Sequence, residues 1–242
     1  MSGTSDLRPR PLLPSGVPRS SRGLLVAASA LLAVVALSDL FAVFVGARIH
    51  TLIDGDQGFA TAPQEKLDAA YSLYQTTGNV QVTLYLPCAI VFVAWFFRMR
   101  RNTGLLAPDR FSKGPGWAIA GWLIPLVHFW MPYRVAVDMW GAATPLPSDG
   151  EPYRASIWPV NVWWALFVSS TLFERYAGSR YDNAEGLAEV RAAVTQYMAA
   201  DLLEIAAAVA AVYFAIRLTA MQRLKATEGP YGTAVHKPVA ST

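Results

Sequence analysis

The sequence predicts an all-α integral membrane protein, a helical bundle with no soluble domain. Three observations lead there. Apolar residues make up 54% of the 242 and charged residues 15%, too little polar side chain to clothe a soluble domain of that length. The apolar residues gather into long blocks instead of recurring at the spacing of a single core face. Basic residues fence those blocks. A mean hydropathy of +0.31 agrees, and a pI of about 9.1 makes the excess of positive charge mild.

Taken in order, residues 1–23 read as a disordered basic tail rich in Pro, Ser and Arg. Leu24–Ala47 follows with one acid, Asp39. At about 1.5 Å per residue it is long enough to cross a bilayer core of about 30 Å. It also outruns the apolar core of about 7–15 residues that a secretory signal needs, so an uncleaved first span is expected. Val80–Phe97 is the second run. Trp117–Tyr133 is the third and the weakest, because Pro125 and Pro132 interrupt it. A proline removes a backbone donor and clashes with the preceding turn, so a break or kink is expected there. Tyr133–Ala143 alternates in polarity with Arg134 and Asp138 one turn apart, as in a short amphipathic helix lying on the membrane. Ile157–Phe173 and Ala199–Ile216 complete a membrane domain of residues 24–225, and 226–242 read as a second disordered tail.

Orientation follows from the basic residues. The first tail carries Arg8, Arg10, Arg19 and Arg22, and Arg98–Lys113 carries Arg98, Arg100, Arg101, Arg110 and Lys113. Arg48–Gly78 between them is acidic, with Asp54, Asp56, Glu65 and Asp68. Basic flanks stay inside, so the first two spans form a hairpin whose turn faces out. Arg217, Arg223, Lys225 and Lys237 place the second terminus inside as well. Two cytoplasmic termini need an even number of crossings, yet five runs are present. Four transmembrane helices plus a broken or re-entrant element at Trp117–Pro132 satisfy this, with five spans as the alternative. Sixteen arginines against four lysines suggest a GC-rich coding sequence and a bacterial cytoplasmic (inner) membrane. Arg98, Arg100 and Arg101 form a basic cluster expected to face anionic lipid headgroups.

Trp117, Trp122, Trp130, Trp140, Trp158, Trp163 and Trp164 cluster at the ends of the third and fourth runs. Such rings suit the headgroup level, and they are read as interfacial anchors. Polar residues within the runs are the functional leads. Asp39 shares a helix face with Ala28, Val35, Ala36, Ala42 and Gly46, a seam of small residues where another helix can approach. Glu204 continues into Ala207, Ala208, Ala211 and Ala215, with Asp201 one turn before it. Asn161 opens the fourth run, and His128 lies between the two prolines. Ionisable groups at membrane depth are costly, so Asp39, His128, Asn161, Asp201 and Glu204 form a candidate polar site on a proton or cation path. The structural alternative is that the acids snorkel or pair with Arg48, Arg175 or Arg217, and that His128 merely packs among Val127, Phe129 and Trp130.

No catalytic, phosphate-binding or zinc motif is present, and no cofactor or metal is expected. The one cysteine, Cys88, reads as a small buried hydrophobe. His50 and His236, in a loop and a tail, cannot pair around a haem, and Asp54–Gly58 lacks the later acid of a calcium loop and reads as a turn.

The segment Phe111-Ser112-Lys113-Gly114-Pro115-Gly116-Trp117, followed by Gly121-Trp122-Leu123-Ile124-Pro125, Trp130-Met131-Pro132-Tyr133 and Asp138-Met139-Trp140, carries a resemblance. Together with Trp163-Trp164 and Leu218-Thr219-Ala220-Met221-Gln222-Arg223, it resembles the bacterial polytopic membrane family known as domain of unknown function 4328, over roughly Leu24 to Lys225. His128 stands where that pattern suggests asparagine. The resemblance implies fold and membrane location, and no activity.

Three functional classes follow. The first is a structural or regulatory module acting through the bilayer and membrane-protein partners, including a homo-oligomer through the Ala207–Ala211–Ala215 seam. The second is a small-solute or ion transporter with its site at the broken helix and the intramembrane acids. An enzyme is the third. Nucleic acid is not an expected partner.

Overall fold

The structure, a computed structural model, describes residues 20–53, 64–144, 156–183 and 187–228. Among these the regular structure is helical throughout. The helices are α1 (Arg22–Ile53), α2 (Gln64–Leu106), α3 (Trp117–Leu123), α4 (Met131–Ala143), α5 (Trp158–Asp182) and α6 (Leu187–Glu228). The expected tails at 1–23 and 226–242, the Asp54–Gly58 turn and His236 lie wholly or mostly outside the described residues; α1 starts at Arg22 and α6 reaches Glu228. Helices α1, α2 and α6 are long and apolar enough to cross a membrane. Helix α5 has 25 residues but carries Glu174, Arg175, Arg180 and Asp182 in its second half.

The helices α2 and α6, at 43 and 42 residues, outlast any bilayer. At about 1.5 Å per residue each exceeds 60 Å against a core of about 30 Å. Within Arg48–Gly78, the described residues 48–53 and 64–78 are helical. His50 accordingly sits in the last turn of α1 and not in a loop. There its Nδ1 accepts from Arg191 Nε at 3.3 Å, and its Nε2 lies 3.1 Å from Thr195 Oγ1, tying α1 to α6.

Helix α1 packs on both α2 and α6, and α6 packs on α5, so the four long helices run in the order α2, α1, α6, α5. The small-residue face of α1 explains its central place. Ala28, Val35, Asp39 and Ala42 are all buried, and a side chain at Gly46 would meet Met198 at 2.8 Å. On α6, Ala207, Ala208, Ala211 and Ala215 are buried inside the same bundle. The seam expected to join two copies is thus consumed within one chain.

The proline-interrupted run is a broken helix. Helix α3 has seven residues, roughly 10 Å by helix rise and a third of a bilayer core. It stops where Ile124 turns extended before Pro125. Leu126 then adopts φ 65° and ψ −50°, a rare and strained γ-turn in which the Val127 N–H donates to the Pro125 carbonyl at 2.8 Å. A 3-10 turn at Val127–Phe129 leads into α4, with Pro132 in its first turn, where a missing N–H does no harm. Helices α3 and α4 fold back on one another, and a side chain at Gly121 would meet Met131 at 3.0 Å.

An aromatic core fills the space between α2, α3, α4, α5 and α6. Trp163 stacks on Phe214 with centroids 4.5 Å apart and planes 4° from parallel. Trp95 and Trp140 close on Phe214 from other sides, and Trp122 meets Phe92, Phe96, Trp163 and Trp164. The reading of Trp122, Trp140, Trp163 and Trp164 as interfacial anchors is corrected here: Trp140, Trp163 and Trp164 are buried, Trp122 is half-buried, and ring-on-ring packing holds them. Trp117, Trp130 and Trp158 stay at the periphery, Trp130 and Trp158 about half exposed.

Polar ties close the end of the bundle that carries the basic cluster. Arg100 does not face lipid. It is buried, donates from Nη2 to the Lys113 carbonyl at 2.8 Å, and stacks its guanidinium 3.5 Å over Phe111. Arg98 is half-buried and Arg101 exposed. Gln222 donates to the Met99 carbonyl at 3.0 Å. Buried Lys225 donates to the carbonyls of Ala142 at 2.8 Å and Thr144 at 3.0 Å, capping α4 from α6.

Candidate binding cleft

Between α2 and α5 the bundle does not close. A cleft opens there with α1 and α6 as its floor, in two adjoining compartments. The wider, about 1110 Å³, is lined by Asp39, Tyr74, Gln81, Glu174, Arg175 and Asp201, among others. The narrower, about 550 Å³, is lined by apolar and aromatic side chains including Phe92, Trp122, Trp163, Ala207 and Ala211. Tyr85, His128, Phe167, Thr171, Glu174 and Glu204 line both and mark the junction. The narrower compartment alone is of the size that holds a small organic ligand, about 300–1,000 Å³.

Helical periodicity delivers these residues. On α2, Tyr74, Gly78, Gln81, Tyr85, Ala89 and Phe92 recur at four- and three-residue steps. Phe167, Thr171, Glu174, Gly178 and Tyr181 do so on α5, and Tyr197, Asp201, Glu204 and Ala208 on α6. Each stripe is one face, and the faces converge on the cleft.

Its polar centre is a three-helix junction. Gln81 Nε2 donates to Asp39 Oδ1 at 2.8 Å and to Asp201 Oδ1 at 3.1 Å, spending both amide hydrogens on carboxylates from α1 and α6. Asp39 is 1% exposed, and its Oδ2 is buried without a hydrogen bond among the described residues. Glu204 lies within electrostatic reach of Asp39, Glu174 and Asp201. The pairings with Arg48 or Arg217 that could have neutralised the acids do not form among the described residues. Arg175 lies on the cleft wall, near Glu174.

Of the five polar residues singled out in the sequence, Asp39, His128, Asp201 and Glu204 meet in this cleft. His128 stacks on Phe129 at 4.0 Å, and its Nε2 is buried without a partner among the described residues. Asn161 is elsewhere. It is exposed at the start of α5, where its Oδ1 accepts from the Tyr133 hydroxyl at 2.9 Å. Gln81, Glu174 and the tyrosines were not anticipated. Among the described residues no group of three His, Cys, Asp or Glu side chains could hold a metal ion.

Residues 60–220 match a known family, described as a domain of unknown function (DUF4328). The chain belongs to this family. The matched segment holds α2 to α5 and most of α6, hence three walls of the cleft, while Asp39 on α1 lies before it. Two of the stretches behind the resemblance are structural: Trp163-Trp164 sits in the aromatic core, and Gln222 ties α6 to α2. No curated protein and no solved structure matches the chain.

Proposed function

We propose that this DUF4328 protein is a multi-pass protein of the bacterial cytoplasmic membrane that binds a small solute in the α2–α5 cleft and passes it across. Helices α1, α2, α5 and α6 cross the bilayer, both termini are cytoplasmic, and α3 with the turn after it re-enters from the cytoplasmic side. The observation that carries this is the cleft itself: acids from α1, α5 and α6 in the wider compartment, an apolar compartment adjoining it, and a broken helix at its edge. Irregular backbone at membrane depth persists where it is covered by protein or lines a wet cavity, and His128 and Leu123 of this element line the cleft. A purely structural or regulatory module has weaker support, since the alanine seam on which a homo-oligomer would form is buried within one chain.

The topology is tested by labelling Ser156→Cys, just before α5, in a Cys88→Ala background. A membrane-impermeant maleimide should miss it in intact cells and modify it after permeabilisation. Labelling from outside would make α3–α4 a full crossing and remove the re-entrant element from the proposal.

A further inference from the structure

Resting on that reading of the cleft, we infer that its ligand is a monovalent organic cation with an apolar body. The ammonium sits at Glu204, and the body lies among Phe92, Trp122, Trp163 and Phe167. Four carboxylates, those of Asp39, Glu174, Asp201 and Glu204, line the wider compartment, and none forms an ion pair among the described residues. Arg175 lines the wider compartment beside Glu174 and does not line the narrower one. A carboxylate buried without counter-charge is unfavourable, so a cation entering this space gains from buried Asp39 and Asp201 and from half-buried Glu204. The unbonded Oδ2 of Asp39 is the clearest sign: it is fully buried, it belongs to the wall, and Gln81 has no hydrogen left to give it.

The charge is best met by an N–H donor group. Among the described residues no group of three or more His, Cys, Asp or Glu side chains could hold a metal ion. The apolar compartment adds what a metal ion cannot use. Glu204 lines both compartments, so a head group held there projects its remainder toward the indoles and Phe167. Aromatic faces attract a cation and accept apolar groups equally well. Partnerless His128 Nε2 offers one further polar contact at the junction.

The test is calorimetric titration of the full-length protein in detergent with 2-phenylethylamine at neutral pH, where an alkylamine is charged. Its neutral counterpart 2-phenylethanol and the anion phenylacetate are titrated alongside. The amine should bind at least tenfold more tightly than either, and Glu204→Gln should weaken it at least tenfold. If Glu204→Gln fails to fold, Phe167→Leu supplies the second variant: it should weaken 2-phenylethylamine severalfold and leave methylammonium unchanged. An amine that does not bind, or that ignores both substitutions, overturns the inference. Equal binding of the alcohol overturns cation recognition and leaves the cleft as a solute site. No binding by any of the three, with Ser156→Cys labelled from outside, removes the cleft reading too.

Discussion

Replacing Trp163 with alanine costs the fold about 3–5 kcal/mol, the range for deleting a large ring from a close-packed core. Trp163 is 2% exposed and touches Phe92, Phe96, Trp122, Trp164 and Phe214, so it joins α2, α3, α5 and α6 at one point. In a bilayer little is gained by hiding apolar surface from lipid tails, so contact density is what is lost. Trp163→Phe keeps a ring against Phe214 and should recover most of the loss. Equilibrium unfolding in mixed micelles, followed by circular dichroism, reads both variants. A loss for the alanine variant of under about 1 kcal/mol would mean that the aromatic cluster does not hold the helices together.

Lys225→Met should cost about 2–3 kcal/mol, near the upper end for hydrogen bonds made by a charged group. The substitution keeps the apolar stem and removes only the ammonium. Two carbonyls at the end of α4, those of Ala142 and Thr144, then lose their donor in a buried place. The positive charge also opposes the partial negative charge of the α4 C-terminus. Lys225→Arg should keep part of the effect. The same unfolding measurement checks it, and a change below about 0.5 kcal/mol would mean that water replaces the ammonium.

Both sites show how far the sequence reaches. The small-residue face around Asp39 and the alanine face around Glu204 are visible as helical spacing, and the structure buries both against neighbouring helices. The break at Pro125 is visible because proline chemistry is local. For the aromatic and basic residues, helix face and not residue type decides the setting. Trp163 is four residues before Phe167 and eleven before Glu174, on the cleft stripe of α5, so it turns inward. Asn161 is six residues before Phe167, about 120° around the helix, and it turns away. Arg100 is four residues after Phe96, and it follows that buried face down into the bundle. Tyr74 lies in a stretch with the composition of an outer loop, and only the long helix α2 puts it on one stripe with Gln81.

The proposed function needs the cleft between α2 and α5 to be open to solutes. The direct measurement is the reactivity of Thr171→Cys, in a Cys88→Ala background, toward a cationic, membrane-impermeant methanethiosulfonate added outside intact cells. Thr171 lines both compartments, one turn from Glu174, so the reagent should enter and react. A Thr171→Cys protein that ignores this reagent yet reacts with a lipid-soluble maleimide would place the residue against lipid and contradict the cleft.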